Sequence, residues 1–350
     1  GAEKAWAYAK KNNVCRMFIV TRMDAENANY EKTIEQLREK FGSSVVPLML
    51  PIGEGAKFTG VVNVLENKAY SGKGKDLKEI PVPADMAPAI ENALAEITEA
   101  AAEAVDELLE KYFEEGELSH EEILQGFSAG MKSGSIVPAV PVSAVTGVGV
   151  AKLLDVMSAY LHSPEEASFA GVNPKNDEEI IREGKTSEPF SAFVFKTIAD
   201  PFVGKLSMLR VCSGTLTSGT ALYNSSCEKT EKAGGLFLLR GKNQLSVSQV
   251  SAGDIAALSK LQFTNTGDTL CDAANPIRYE KISFPEPSVQ KAVYAAKQGE
   301  EDKVFSGLAR LQEEDPSIRL EKNAETTETI LWGQGELHLD VIRNKLQSKF

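Results

Sequence analysis

At 350 residues and 37.8 kDa, with 42% hydrophobic and 25% charged residues, the chain has a soluble globular composition and room for two or three domains. No run of about 18 apolar residues and no signal-peptide pattern occurs, which argues against membrane spanning and secretion and makes the cytoplasm the expected location. Cys15, Cys212, Cys227 and Cys271 are scattered without a C-x-x-C and are joined by only three histidines, so neither a zinc site nor a disulfide framework is expected.

The formal net charge of −12 would argue against a nucleic-acid partner, but it is unevenly placed. Residues 85–122 hold 13 acids against one base, Lys111, which leaves 37 of each sign on the remainder. An otherwise neutral protein can keep basic patches for RNA, and the acidic segment is free to serve another partner.

In chain order, Ala2 to Asn12 predicts a short helix and Arg16 to Val20 an apolar strand ending in a polar loop. Glu31 to Phe41 is an amphipathic helix, with Ile34, Leu37 and Phe41 on one face and Gly42 as its stop. Strand, loop, helix is the alternation of a parallel α/β sheet. Val45 to Pro51 predicts another strand, and Phe58 to Leu65 with the Gly/Lys-rich Ser71 to Lys75 predicts strands joined by an exposed turn. The acidic segment predicts one long helix whose stripe is Ile90, Leu94, Ile97, Ala101, Val105, Leu108 and Tyr112. Gly116 is its stop, and Ser119 with Glu122 forms a capping box for the next helix. Ile136 to Val142 and Val148 to Leu161 then close the α/β domain with a strand and a helix.

A polar stretch, 164–186, predicts a connector with little core of its own. Short β-rich runs between Phe190 and Leu258, separated by turns such as Ser213-Gly214 and Ser218-Gly219, have the spacing of a closed β-barrel. Beyond Phe284 the pattern is strand, helix (300–313), hairpin, strand and helix (336–347), a small α+β domain. The expected domains are therefore 1–163 with an insertion at about 46–131, a linker at 164–186, a barrel at 187–282 and an α+β domain at 283–350.

Thr21-Arg22-Met23-Asp24 follows the first strand, at the carboxyl end where open α/β sheets bind ligands. It resembles the Asn-Lys-x-Asp guanine motif of GTPases. Guanine presents its ring N–H and exocyclic amino group side by side, and one carboxylate, Asp24, accepts both; adenine lacks that pair. Arg22 stands where the motif has a lysine whose stem lies along the base. Thr21 stands where the motif has an asparagine, and its shorter hydroxyl cannot span the same partners. Val142-Ser143-Ala144, after a later strand, resembles the second guanine loop, in which the alanine N–H meets the base oxygen. As bare patterns, an Asp after a strand is commonly a turn or helix cap, and Ser-Ala means little. No Gly-x-x-x-x-Gly-Lys-Ser/Thr occurs, and Ser71-Gly72-Lys73-Gly74-Lys75 lacks its flanking residues, so phosphate chemistry by this chain alone is not expected.

Downstream, Asp200-Pro201-Phe202-Val203-Gly204-Lys205-Leu206, Phe284-Pro-Glu-Pro, Glu314-Asp315-Pro316-Ser317 and Gly333-Gln334-Gly335-Glu336-Leu337-His338-Leu339-Asp340 follow one another at definite distances. Together these segments resemble the middle of elongation factor G, the GTPase of ribosomal translocation. The resemblance implies a multidomain fold: part of a P-loop-type GTPase domain with a helical insertion, a β-barrel second domain and a ferredoxin-like α+β third domain. It implies GTP or GDP with magnesium in an intact protein, whose magnesium-binding switch segments and water-positioning histidine would precede Gly1, so that the chain resembles an excised fragment. It implies the ribosome as partner, through a stalk protein at the acidic insertion and through rRNA at the barrel, where Lys205, Arg210 and Lys242 would contact phosphate; neither DNA nor a membrane is implied. Other translational GTPases, of the ribosomal protection or release type, and a non-catalytic ribosome-binding protein remain alternatives. His338 is expected to be a structural or packing residue, since no second His or Cys stands near it. Loss of the first strands of such a domain would leave sheet edges unpaired and an apolar face uncovered, favouring self-association.

Overall fold

The computed structural model describes residues 1–200, 204–241 and 243–350. It forms two compact units, Gly1–His162 and Ser163–Phe350.

The first unit runs α1 (Ala2–Lys11), β1 (Phe18–Val20), α2 (Tyr30–Phe41), β2 (Val45–Pro47), β3 (Met49–Ile52), β4 (Gly60–Asn63), β5 (Lys68–Ser71), β6 (Lys78–Ile80), α3 (Ala87–Glu103), α4 (Asp106–Glu115), α5 (His120–Ser133), β7 (Val137–Pro141) and α6 (Val150–Tyr160). β1, β7 and β2 form a parallel sheet in that order, with Phe18 opposite Ala139 and Val45 opposite Val137. The run at 45–51, expected as one strand, divides at the fully buried Leu48: β2 stays in the parallel sheet, whereas β3 opens an antiparallel sheet ordered β3-β4-β5-β6. Both sheets and the acidic helices share one core, including Met23, Leu48, Ile97, Phe127, Met131 and Ile136. Among the described residues β1 is an edge strand, and Ile19 on it is exposed, as are Leu154 and Met157 on α6. Part of that edge region is covered by α1, whose Trp6 stacks on Phe18 at 5.7 Å and meets Phe41 at 4.7 Å.

The single long acidic helix is not formed. Val105 is extended (φ −142°, ψ 120°) and separates α3 from α4, its carbonyl accepting from the N–H groups of Leu108 and Leu109 at 3.0 Å each. A β-branched residue followed by two acids favours a new helix start over continuation, because Asp106 and Glu107 then sit at a positive helix end. The break returns Leu108 to the common core. α3 and α5 approach so closely at Gly126 that a Cβ there would lie 2.3 Å from the Ala101 carbonyl oxygen.

The capping box of α5 is formed: Ser119 Oγ accepts from the Glu122 N–H at 3.3 Å and Glu122 Oε2 accepts from the Ser119 N–H at 2.8 Å. Lys111 Nζ, 2.8 Å from the Glu122 carboxylate, together with the Ser119 donors, holds its pKa down at about 2. Since the ordinary value is 4.5, this contribution is complete above that pH and is lost as pH falls toward about 2. The first turn of α5 is therefore expected to fray in that window, seen as faster exchange of the 119–123 amides. Glu122→Gln should remove the pH dependence, and equal acid fraying in the variant would refute the assignment.

In the second unit, the stretch expected to be a connector is a hairpin of β8 (Ser168–Val172) and β9 (Glu179–Glu183). Its Phe169 and Ile180 pack on Cys212, Cys271, Ile277 and Tyr279, so alternation within a polar run was enough to bury one face. The β-rich region comprises β10 (Ser191–Asp200), β11 (Gly204–Ser213), β12 (Thr215–Thr217), β13 (Ala221–Asn224), β14 (Lys229–Lys232), β15 (Leu236–Arg240), β16 (Asn243–Ser246), β17 (Gln249–Ser251), β18 (Ile255–Ser259) and β19 (Thr269–Cys271). Eight of these strands form one sheet ordered β14-β13-β19-β10-β11-β18-β15-β16, and β12 with β17 makes a separate ribbon. The expected closed barrel is not formed among the described residues, because the end strands β14 and β16 do not pair with each other. Lysines on β14 and Asn243 on β16 keep those edges polar.

The last elements are β20 (Val289–Val293), α7 (Glu301–Glu314), β21 (Arg319–Lys322), β22 (Thr329–Gly333) and α8 (Glu336–Lys349). The antiparallel order β20-β22-β21 within a β-α-β-β-α chain matches the first five elements of the ferredoxin-like β-α-β-β-α-β pattern. β22 is itself the second strand of the hairpin and leads directly into α8, so no extra strand intervenes. Leu308, Leu311, Ile318, Leu331, Leu339 and Ile342 form its core. Among the described residues no helix is long and apolar enough to cross a membrane.

Candidate functional site

The parallel pairing of β1 with β7 puts Val20 beside Pro141, so the loops carrying Thr21 to Asp24 and Val142 to Ala144 leave the same end of the sheet side by side. Backbone bonds join them there: the Val142 N–H donates to the Val20 carbonyl at 2.8 Å and the Met23 N–H to the Val142 carbonyl at 3.3 Å. Met23 is buried in the core and anchors the first loop. Arg22 is exposed and left-handed (φ +61°), with its carbonyl accepting from the Ala25 N–H at 2.9 Å. Such a conformation costs a non-glycine residue free energy, on the order of 1 kcal/mol, and is characteristic of functional loops. Thr21 is exposed.

Asp24 is half-buried, and its Oδ1 is fully buried without a hydrogen-bond partner among the described residues. A buried acceptor of this kind costs about 1–3 kcal/mol unless a donor arrives from outside the chain. In the second loop, Ser143 is fully buried: its hydroxyl accepts from the Thr146 N–H at 3.1 Å and its carbonyl from the Gly147 N–H at 2.9 Å. The resulting turn presents the exposed Ala144, whose N–H makes no hydrogen bond among the described residues. One unsatisfied acceptor and one free donor thus stand on adjacent loops. The residues beyond the loop were not expected from the sequence: Glu54 Oε1 accepts the Tyr30 N–H at 3.0 Å, and the Gly55 N–H donates to the Met23 carbonyl at 2.9 Å. Their only advance signal was the Gly53-x-Gly55 pair.

Of the three cations expected to touch RNA, Lys205 and Arg210 are described, and they are not brought together. Lys205 is engaged within the unit, 3.5 Å from Glu313 and 3.1 Å from Asn265 Oδ1. Arg210 is exposed, with its guanidinium 5.1 Å from the centre of the Phe169 ring. The two are an odd number of positions apart on β11 and face opposite sides of the sheet. Lys242 lies outside the described residues, as do residues 201–203 of the Asp200 to Leu206 segment.

His338 is half-buried and hydrogen-bonded through both ring nitrogens. The Gln334 N–H donates to its Nδ1 at 3.1 Å, so Nε2 bears the proton and donates to Asp315 at 3.0 Å. Burial pushes the Asp315 carboxyl up, but hydrogen bonds from Ser317 and His338 outweigh it and hold it below the ordinary value. Among the described residues no group of three His, Cys, Asp or Glu side chains is placed to hold a metal ion.

Comparison with known proteins places three domain models along the chain in one order. The elongation factor Tu GTP binding domain matches residues 2–163, elongation factor G domain 2 matches 189–273, and elongation factor G domain III matches 284–350. That succession defines a translational GTPase. A solved protein from Thermus thermophilus, ttk003000868, superposes with a TM-score of 0.82 at 30% identity over 99% of this chain, which spans 50% of that one. The chain belongs to the elongation factor G-like translational GTPases.

Proposed function

We propose that this chain is the base-recognising and ribosome-docking part of a factor that drives ribosomal translocation with GTP. The observation that carries the base-recognition part is the buried, unpartnered Asp24 Oδ1 on the loop adjacent to the one that carries the free Ala144 N–H. Asp24 accepts the ring N–H and the amino group of guanine, the Ala144 N–H donates to the base oxygen, Ser143 shapes that loop, and Arg22 with Thr21 flanks the base. The nucleotide is GTP or GDP, with magnesium on its phosphates in the intact factor. Its phosphate contacts are not assigned to residues of this chain, whose sequence has no Gly-x-x-x-x-Gly-Lys-Ser/Thr. The acidic helices α3 to α5, with Phe113 80% exposed among glutamates, dock the ribosomal stalk protein, and the β-rich region meets rRNA through Arg210. Such a factor works in the cytoplasm.

Equilibrium binding to the chain tests the base-recognition part. GDP should bind more tightly than IDP, which lacks the amino group, and ADP should not compete. Equal binding of GDP and ADP would overturn the assignment of Asp24.

A further inference from the structure

Resting on the base-binding reading of Asp24, we infer that Glu54 and Gly55 are positioning residues for guanine recognition, contributed by the insertion rather than by the β1–α2 loop itself. Both ends of the Met23 residue are fixed by foreign elements: its N–H by Val142 after β7, and its carbonyl by the Gly55 N–H at 2.9 Å. Asp24 is the next residue, so its carboxylate inherits that placement. Glu54 holds the far side of the same loop by accepting the Tyr30 N–H at 3.0 Å, at the first residue of α2. Tyr30 is buried, and its hydroxyl donates to the Ala139 carbonyl at 3.2 Å on β7, the strand that leads to Ala144. The Glu54 contact therefore ties into the frame shared by both base-facing loops.

The local backbone is specialised for this approach. Gly53 (φ +77°) could not carry a side chain, since a Cβ would lie 2.1 Å from the Lys57 carbonyl oxygen. Gly55 (φ +58°) lies so close to the loop that its Cβ would stand 3.2 Å from the Ala25 carbonyl oxygen. Arg22, in its left-handed conformation, begins the segment these contacts restrain. A merely structural role for Glu54 would stabilise the start of α2 without altering which base the loop prefers, and this separates the two readings.

The test uses the full chain with guanosine and inosine as probes, followed by ligand-detected NMR, and amide exchange over residues 21–30. Glu54→Ala should speed exchange of the Met23 to Ala25 amides and weaken guanosine binding, each about tenfold, as expected for losing a charge-assisted hydrogen bond. Inosine binding should fall less, so the guanosine-to-inosine ratio drops. Glu54→Gln keeps an acceptor and should restore both readouts, whereas Gly55→Ala should act in the same direction as Glu54→Ala. Discrimination and loop exchange that survive Glu54→Ala overturn this inference alone. A native chain that does not distinguish the two nucleosides overturns the base-binding reading, and this inference with it.

Discussion

Asp24→Asn is expected to weaken guanosine binding by about 10²-fold and to turn the site toward xanthosine. A carboxylate offers two acceptor oxygens to the ring N–H and amino group of guanine, whereas a carboxamide offers one acceptor and one donor. The amide donor then faces the guanine amino group, two donors in a buried position, and a site built for a matched pair penalises the mismatch heavily. Xanthine carries a carbonyl where guanine carries the amino group, so the same amide becomes complementary to it. The buried Oδ1 is what makes a large effect credible, because water cannot compensate the loss there. Competitive titration with the two nucleosides measures the switch. An unchanged guanosine affinity in Asp24→Asn, with the fold intact by circular dichroism, would place base recognition elsewhere.

Glu231→Ala is expected to destabilise the second unit by about 3–5 kcal/mol, since the buried Thr264 hydroxyl and two partly buried backbone donors lose a buried charged acceptor at once. Glu231 lies on β14 and is buried; its carboxylate accepts the Gln262 N–H at 2.5 Å, the Phe263 N–H at 3.0 Å and the Thr264 hydroxyl at 2.5 Å. The same loop is gripped from its other side by Asp268, which takes the Asn265 N–H at 2.8 Å and the Asn224 amide at 3.0 Å. Alanine leaves three donors without acceptors and a cavity beside them. Denaturation followed through Trp332, the tryptophan of the second unit, in a Trp6→Phe background would report the loss. Glu231→Gln, which keeps one acceptor oxygen, should fall between the two. A change within about 0.5 kcal/mol, the range of ordinary surface substitutions, would mean that the loop is held by other contacts.

The parts of this fold that the sequence made legible are those governed by local rules. The capping box at Ser119 and Glu122, the positive-φ glycine stops at Gly116 and Gly42, and the strand-loop-helix succession around Asp24 each follow from chemistry within a few residues. What escaped was decided by distant partners. Leu48 divides one apolar run between two sheets because β7 claims one half and β4 the other. Helical periodicity runs straight through Val105, yet the chain breaks there to return Leu108 to a core built from other elements. The hairpin at 168–183 looked too polar to fold, since its inner face is completed by Ile277 and Tyr279 about a hundred positions later. At the candidate site, Asp24 and Ala144 belong to motifs that can be read directly. Glu54 and Gly55 matter only through contacts with Met23 and Tyr30, and the Gly53-x-Gly55 pair marks a tight turn there without naming those partners.

The order β1-β7-β2 also constrains the history of each newly made molecule. The middle strand emerges from the ribosome last, and it must slot between two neighbours separated from it by the entire insertion. Loop-closure entropy makes that step slow unless the intervening chain is already compact, and the shared core around Leu48, Ile97 and Phe127 supplies the compaction. Synthesis therefore favours maturation of the insertion first and docking of β7 afterwards. The paired loops holding Asp24 and Ala144 come into existence only with that docking, so the candidate base site is complete only in a molecule whose β7 is in place.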